Sequence, residues 1–184
     1  MVIIMGKSGA GKTTVLDELV KLGFKRAVTY TTRPIRPNEK AGVDYEFVST
    51  EEFERMEKAG MFAETAHTGM YEYGSLKVSY MDEMTVIILT PVGAENVMRR
   101  LGKENLLVVY LDADHRLLIK RLRERGDDPK EIIRRLSEDE SRFGRAYEIC
   151  DFRIQQDEKT DAAQTALLIS WLAPKKGGCR DEAC

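Results

Sequence analysis

The chain has 184 residues, of which 42% are hydrophobic and 33% are charged, and its formal net charge at pH 7 is −2. This length suits one domain with its own hydrophobic core. The nearly balanced charge argues against nucleic acid or an anionic membrane as the main partner. No hydrophobic run approaches the roughly 20 residues that a membrane-spanning helix needs.

The cysteine pattern indicates a reducing compartment. The three cysteines are Cys150, Cys179 and Cys184, and an odd number argues against a disulfide framework. Cys179 and Cys184 have no second pair or histidine nearby that would complete a zinc site. The N-terminal hydrophobic run is too short for a signal peptide and lacks a basic start. We therefore expect a cytoplasmic protein and a disordered tail at residues 173–184.

Strand and helix patterns alternate along the chain. Continuous hydrophobic runs, such as Asn105–Leu111, are typical of strands buried on both faces. Strands are predicted at residues 2–5, 27–31, 61–68, 70–73, 85–89, 105–111 and 149–155. Helices are predicted at residues 13–22, 49–60, 91–101, 113–125, 130–147 and 162–172. This alternation predicts an α/β fold built on a parallel sheet with helices on both faces.

Two polar stretches interrupt the alternation, at about residues 33–80 and 119–146. The first begins with a loop, Arg33–Gly42, that contains two prolines and a glycine. The second is rich in arginine. We expect one domain over residues 1–172, with both stretches inserted into the sheet core.

The segment from Gly6 to Thr13 matches the phosphate-loop pattern G-x-x-x-x-G-K-[ST] in full. Glycines let successive N–H groups point at phosphate oxygens, and the next helix adds a partial positive charge. Lys12 reaches the β- and γ-phosphates, and the Thr13 hydroxyl ligates Mg²⁺. A chance match is disfavoured because the motif follows a hydrophobic strand and opens an amphipathic helix. The predicted ATP-binding residues here are Gly6, Lys7, Ser8, Gly9, Ala10, Gly11, Lys12, Thr13 and Thr14.

A second motif concerns the phosphate acceptor. It reads Thr32-Arg33-x-x-Arg36-x-x-Glu39-x-x-Gly42-x-x-Tyr45-x-Phe47-Val48. Two arginines three residues apart in a proline-bracketed loop suit a monophosphate dianion, which they bind through forked hydrogen bonds. A tyrosine hydroxyl completes the cradle. Together with the phosphate loop, this motif resembles the signature of guanylate kinases, and the resemblance covers about residues 1–172.

The resemblance implies transfer of the γ-phosphate of ATP, with Mg²⁺, to GMP or dGMP. It implies that Glu64 accepts the two N–H donors on one edge of guanine. The implied GMP-binding residues are Thr29, Arg33, Arg36, Tyr45, Glu64, Tyr73 and Ser75. The implied catalytic residues are Lys12, Arg33, Arg125 and Arg135, with Arg121 and Gln156 on the ATP side. We expect small-molecule substrates and a monomer or homodimer.

The arginine-rich second insertion resembles the family's lid. Its arginines suit planar, bidentate contacts with phosphate, and they stabilise the charge of phosphoryl transfer. The loop before Arg135 is one residue shorter than the family pattern, so Arg134 is a possible substitute.

Four features depart from the family pattern. The stretch Thr85–Gly93 lacks the aspartates found at this strand end; Asp82 and Glu83 lie at the other end, and Glu95 is a distant candidate. The segment between Ser75 and Thr85 is about four residues shorter, which predicts a stunted helix. Lys7 replaces a common proline, and Gln156 replaces an asparagine.

Three alternatives follow from these departures. One is a kinase for a different, deoxy or modified, nucleoside monophosphate. Another is a guanylate-kinase-like binding module without catalysis, against which the intact phosphate loop and lid arginines argue. The third is a regulatory ATPase, which would hydrolyse ATP without any monophosphate.

Overall fold

The computed structural model describes residues 1–36, 39–68, 70–80, 82 and 84–174. Glu83, Cys179, Cys184 and most of the predicted disordered tail lie outside these ranges. Within them, no helix is both long enough and hydrophobic enough to span a membrane.

The elements alternate between strand and helix. The strands are β1 (Val2–Gly6), β2 (Lys25–Arg26), β3 (Thr29–Thr31), β4 (Tyr45–Phe47), β5 (Phe62–Thr68), β6 (Tyr71–Leu76), β7 (Thr85–Ile88), β8 (Leu107–Ala113) and β9 (Phe152–Gln156). The helices are α1 (Lys12–Lys21), α2 (Thr50–Lys58), α3 (Pro91–Leu101), α4 (His115–Glu124), α5 (Pro129–Phe143), α6 (Ala146–Ile149) and α7 (Ala162–Leu172). A 3₁₀ turn covers Lys77–Tyr80.

The central sheet has the strand order β2-β7-β1-β8-β9, and every pairing in it is parallel. Strands β1 and β8 are buried along their whole length, as their continuous hydrophobic runs predict. One hydrophobic cluster packs α1, α4, α5 and α7 on one face. A second cluster packs α3, α6 and the end of α5 on the other face. The predicted parallel α/β fold is therefore confirmed.

A second sheet, of order β4-β3-β6-β5, combines three strands of the first polar stretch with β3, which lies just before it. The strand predicted at residues 27–31 is confirmed only over Thr29–Thr31, and the two-residue strand that precedes it, Lys25–Arg26, belongs to a different sheet. β2 pairs with β7 in the central sheet, whereas β3 pairs with β4 and β6. β4 was not predicted, since three residues are too short to show a period. β4 is a strand because it pairs with β3.

Other boundaries differ for local reasons. The helix predicted at residues 130–147 ends at Phe143, and α6 is separate from it. β6 runs past the prediction through Gly74, where a Cβ would lie 3.0 Å from the Phe62 ring. Glycine seldom indicates a strand in a sequence, but here the absence of a side chain at Gly74 lets the Phe62 ring pack closely against β6. The Ser49 hydroxyl accepts a hydrogen bond from the Glu52 backbone N–H at 3.1 Å, so the predicted cap of α2 is confirmed.

Candidate active site

The phosphate loop connects β1 to α1 in the predicted way. Gly9 and Gly11 have φ values of 85° and 90°, a region that residues with a Cβ rarely adopt. A Cβ on Gly6 would lie 2.8 Å from the Leu111 carbonyl oxygen of β8. The loop conformation therefore requires these glycines. The N-terminal N–H groups of α1 point toward the space that the phosphate loop surrounds.

Lys12 folds back over this loop. Its Nζ donates hydrogen bonds to the carbonyl oxygens of Gly6 at 2.7 Å and Lys7 at 3.0 Å. Burial lowers the pKa of Lys12 to about 8; the charge of Asp139 opposes this effect, while Arg125 and Arg36 add to it. A bound phosphate would reverse the shift, because a nearby anion favours the charged ammonium.

Thr13 lies in the first turn of α1 with an exposed side chain. Its hydroxyl is a hard oxygen donor, which suits Mg²⁺. Across the described ranges, no three His, Cys, Asp or Glu side chains group closely enough to hold a metal. The site fits an ion that phosphate oxygens and water mainly ligate, with Thr13 as one protein ligand.

An acid that the sequence reasoning missed lies beside the phosphate loop. Asp139 of α5 is 6% exposed, and its Oδ2 accepts a hydrogen bond from the Ser8 backbone N–H at 2.6 Å. A signal for it exists, because Asp139 occupies one position of the buried stripe of α5 that otherwise holds Ile132, Leu136 and Phe143. An acid in a hydrophobic stripe indicates a specific polar partner.

The acids considered as replacements for the absent strand-end aspartates are engaged elsewhere. Asp82 pairs with Lys25 at 2.6 Å, and Glu95 pairs with Arg145 at 3.4 Å. At the strand end itself, the Thr90 hydroxyl caps α3 by accepting a hydrogen bond from the Gly93 N–H at 3.2 Å.

Strand register collects the predicted acceptor residues on one face of the second sheet. Ser75 of β6 lies opposite Thr29 of β3 on one side and Glu64 of β5 on the other. Thr29 in turn lies opposite Tyr45 of β4. Directly opposed residues share a face, as do residues two apart on one strand, which adds Tyr73. The polar row Thr29-Ser75-Glu64 is therefore a product of pairing.

Arg33 is buried at one end of this face, with 6% of its surface exposed. Its Nη1 and Nη2 donate to Glu39 Oε2 and Oε1, each at 2.9 Å. The guanidinium carbon lies 5.3 Å from the centre of the Tyr45 ring, within cation–π range. Glu39 Oε2 also accepts the Arg36 backbone N–H at 2.9 Å. Glu39, part of the acceptor motif but not predicted as a site residue, thus fixes both arginines.

Glu64 is also buried, with 6% of its surface exposed. The Ser75 hydroxyl donates to Glu64 Oε1 at 2.6 Å. Burial raises the pKa of Glu64, and hydrogen bonds from the side chain and backbone of Ser75 partly offset this. The carboxylate is an acceptor set into the sheet face, which suits a ligand edge that presents N–H donors.

Helices α4 and α5, in the region predicted to be a lid, place two arginines together. Arg125 Nε donates to Asp127 Oδ1 at 2.8 Å, and Arg135 Nη1 donates to Asp127 Oδ2 at 3.0 Å. Both Arg134 and Arg135 pair with Glu131 of their own helix at 2.7 Å, but only the Arg135 side chain, 16% exposed, also reaches Asp127, whereas Arg134 is 44% exposed. The structure therefore favours Arg135 over the considered substitute Arg134.

The lid and the acceptor loop lie within electrostatic range of each other. Burial lowers the pKa of Arg36, and the positive charges of Arg33, Arg135 and Arg125 lower it further. Such a cluster of cations is stable only when carboxylates or a bound anion compensate it.

Arg121 and Gln156 border the phosphate loop from the opposite side. Arg121 Nη1 donates to the Gly9 carbonyl oxygen at 3.3 Å. A Cβ on Gly11 would lie 3.4 Å from Arg121 Nη1 and 4.0 Å from Gln156 Oε1. Gln156 is buried, and its Nε2 has no hydrogen-bond partner among the described residues. An unpaired buried donor at this place suits a nucleotide ligand.

Lys7, which replaces the common proline, forms an ion pair with Glu140 of α5. Together with the contact between Ser8 and Asp139, it attaches the phosphate loop to α5 at two neighbouring points.

The parallel sheet, the strand–loop–helix motif and the inward cations define a P-loop nucleotide-binding protein. A family model described as guanylate kinase matches residues 1–167. A guanylate kinase of Desulfotalea psychrophila is 32% identical over 181 residues, covering 92% of this chain and 87% of the relative. One of Thermosynechococcus vestitus is 36% identical over 165 residues, covering 86% of each chain.

The fold agrees with these sequence relationships. The crystal structure of guanylate kinase from Anaplasma phagocytophilum superimposes with a TM-score of 0.70 at 27% identity, covering 93% of this chain and 83% of that one. The chain belongs to the guanylate kinase family, and the resemblance predicted from the two motifs is confirmed.

Proposed function

We propose that this protein is a guanylate kinase, which transfers the γ-phosphate of ATP to GMP or dGMP. The observation that carries the proposal is that cations of three separate elements affect one another. Burial lowers the pKa of Arg36 in the acceptor loop, and Arg135 and Arg125 of the lid lower it further. Burial likewise lowers the pKa of Lys12 in the phosphate loop, and Arg125 and Arg36 lower it further. A site that joins donor and acceptor phosphates needs this arrangement.

Each group of side chains has a distinct task in the transfer. The phosphate loop holds the ATP phosphates, and Lys12, Arg125 and Arg135 neutralise the moving phosphoryl group. The acceptor phosphate is held by Arg33, Arg36, Tyr45 and Tyr73. It is already an anion at neutral pH, so the reaction needs no general base. Mg²⁺, ligated in part by Thr13, would supply further charge neutralisation.

The base is recognised on the polar row of the second sheet. Glu64 accepts from N1–H and the 2-amino group of guanine, and Thr29 and Ser75 add hydroxyl contacts. Adenine presents an acceptor at N1, which a carboxylate repels. A base that leaves buried polar groups without hydrogen-bond partners binds much more weakly, so the site should discriminate strongly between guanine and adenine.

The proposal divides the chain by task. Residues 1–172 form one domain, in which residues 33–80 bind the acceptor and residues 119–146 act as a lid that excludes water. The cofactor is Mg²⁺ with ATP, and the compartment is the cytoplasm.

The test is ADP formation from ATP and Mg²⁺ with GMP, dGMP, AMP, CMP, UMP or dTMP, and with no acceptor. We expect stimulation by GMP and dGMP alone, and the GMP to dGMP ratio gives the preferred form. Lys12→Ala is the control for contaminating activity. Stimulation by a different monophosphate would overturn the guanine assignment, and equal hydrolysis without an acceptor would indicate an ATPase. Tight ATP binding without any transfer would indicate a binding module.

A further inference from the structure

The shortened segment after β6 brings a tyrosine to the acceptor face. A single 3₁₀ turn, Lys77–Tyr80, follows β6 directly. The Tyr80 hydroxyl at the end of this turn forms a hydrogen bond with the Ser75 hydroxyl. Ser75 is fully buried, and its Oγ lies 2.6 Å from Glu64 Oε1. The three side chains form one continuous chain of hydrogen bonds, in which Glu64 and Ser75 are buried and Tyr80 is partly buried.

The number of hydroxyl protons determines which group donates in each of these hydrogen bonds. Serine has one hydroxyl proton, and Ser75 donates it to the Glu64 carboxylate, which is acceptor-only when ionised. Ser75 can therefore only accept from Tyr80, which donates. Burial and the charge of Glu64 raise the pKa of Tyr80, an effect that its bond to Ser75 only partly opposes. The phenol consequently keeps its proton at neutral pH.

The other oxygen of the Glu64 carboxylate lies beside α3. A Cβ on Gly93 would lie 3.0 Å from Glu64 Oε2, so the first turn of α3 packs against this oxygen. The N-terminus of a helix favours a nearby negative charge. Tyr80 itself packs against the hydrophobic cluster on the α3 side of the central sheet. Both oxygens of Glu64 thus have a defined environment.

We propose that Tyr80 is a positioning residue for the acceptor base, acting through Ser75 on Glu64. By donating to Ser75, Tyr80 commits the serine proton to Glu64 and orients the carboxylate toward a base edge with adjacent N–H donors. The inference rests on the proposed function, because it assumes that Glu64 meets guanine. Two hydrogen bonds in series strengthen each other in a low-dielectric site, so the loss of the first weakens the second.

Tyr80→Phe tests this role, because it keeps the ring packing and removes only the hydroxyl. We expect the KM for GMP to rise about tenfold, the typical effect of one hydrogen bond in a charged network. The kcat and the KM for ATP should stay close to wild type. The variant should also shift the acid limb of kcat/KM for GMP to higher pH. A weaker bond from Ser75 disfavours the charged form of Glu64 and so raises its pKa.

Two further variants separate positioning from packing. Tyr147→Phe removes a hydroxyl that donates to Asp112 at 3.0 Å, away from the acceptor face, and should leave the GMP constants unchanged. In a Ser75→Ala background, Tyr80→Phe should have no further effect on the KM for GMP, since the path to Glu64 is already broken. Melting temperatures show whether each variant is folded.

The outcomes distinguish this inference from the proposed function. If wild-type protein is not stimulated by GMP, the proposed function fails. If wild type is stimulated but Tyr80→Phe keeps the wild-type KM and pH profile, the inference alone is overturned. Additive effects of Tyr80→Phe and Ser75→Ala would also overturn it, because they would mean that Tyr80 acts by another route.

Discussion

Glu39→Gln should destabilise the acceptor loop and impair acceptor use together. The side chain keeps its size but loses the charge that pairs with Arg33 through two hydrogen bonds of 2.9 Å. Arg33 would remain buried as a cation without a carboxylate partner. The Arg36 backbone N–H would keep only an amide oxygen as its acceptor.

The magnitude follows from burial. Breaking a fully buried ion pair from one side costs about 3–5 kcal/mol. The side chain of Glu39 is 16% exposed and glutamine keeps some hydrogen bonding, so we expect a loss of about 2–3 kcal/mol. For a domain of this size, that lowers the melting temperature by about 5–10 °C. The kcat/KM for GMP should fall, while ATP affinity should not change.

The effect should depend on pH in a defined direction. Burial by itself raises the pKa of Glu39, but the hydrogen bonds from Arg33 and the Arg36 backbone, with their charges, hold it below its ordinary value. A depressed carboxyl pKa stabilises the fold above the unfolded pKa of about 4.3. This stabilisation is lost as the pH falls through the lower folded pKa. The difference between wild type and variant should therefore shrink in acid.

Urea denaturation and thermal melting at pH 7 and at about pH 3, well below the unfolded pKa, measure these differences. Glu54→Gln is the matched control: it breaks the exposed pair with Lys58, of 3.1 Å, and should cost less than about 1 kcal/mol. Equal stability of the two variants, or a Glu39→Gln deficit that does not diminish in acid, would refute the reasoning.

Four further predictions concern the phosphate loop and the lid. Lys12→Ala should lower turnover about 10²-fold or more; unchanged steady-state turnover would mean that the phosphate site is wrongly assigned. The pKa of Lys12 is about 8 in the protein without nucleotide, and a bound phosphate raises it, so ADP affinity should fall above pH 8. Binding should then take up a proton, which calorimetry in two buffers detects. This proton uptake should be absent in Lys12→Ala. Asp139→Asn removes a carboxylate that competes with phosphate for the Ser8 N–H, so ATP affinity in an equilibrium titration should rise about tenfold; unchanged affinity would argue against competition. Arg135→Ala should lower kcat about 10²-fold and Arg134→Ala much less; the reverse order would restore Arg134 as the lid residue.

Local patterns in the sequence determined the class of the protein. The phosphate loop is readable because the positive φ values of Gly9 and Gly11 require glycine wherever the rest of the chain lies. The buried strands β1 and β8 are readable because strands covered on both faces need continuous hydrophobic runs. The acceptor motif is readable because its residues lie close together in the chain.

Only the tertiary structure decided how these pieces meet. Register aligned Thr29, Ser75 and Glu64 in one row, although no local period relates three different strands. Helix packing brought Asp139 to Ser8 across 131 positions of the chain, and one short turn brought Tyr80 to Ser75. Periodicity records which face of an element is buried, but a partner distant in sequence leaves no local pattern, so packing alone determines these contacts.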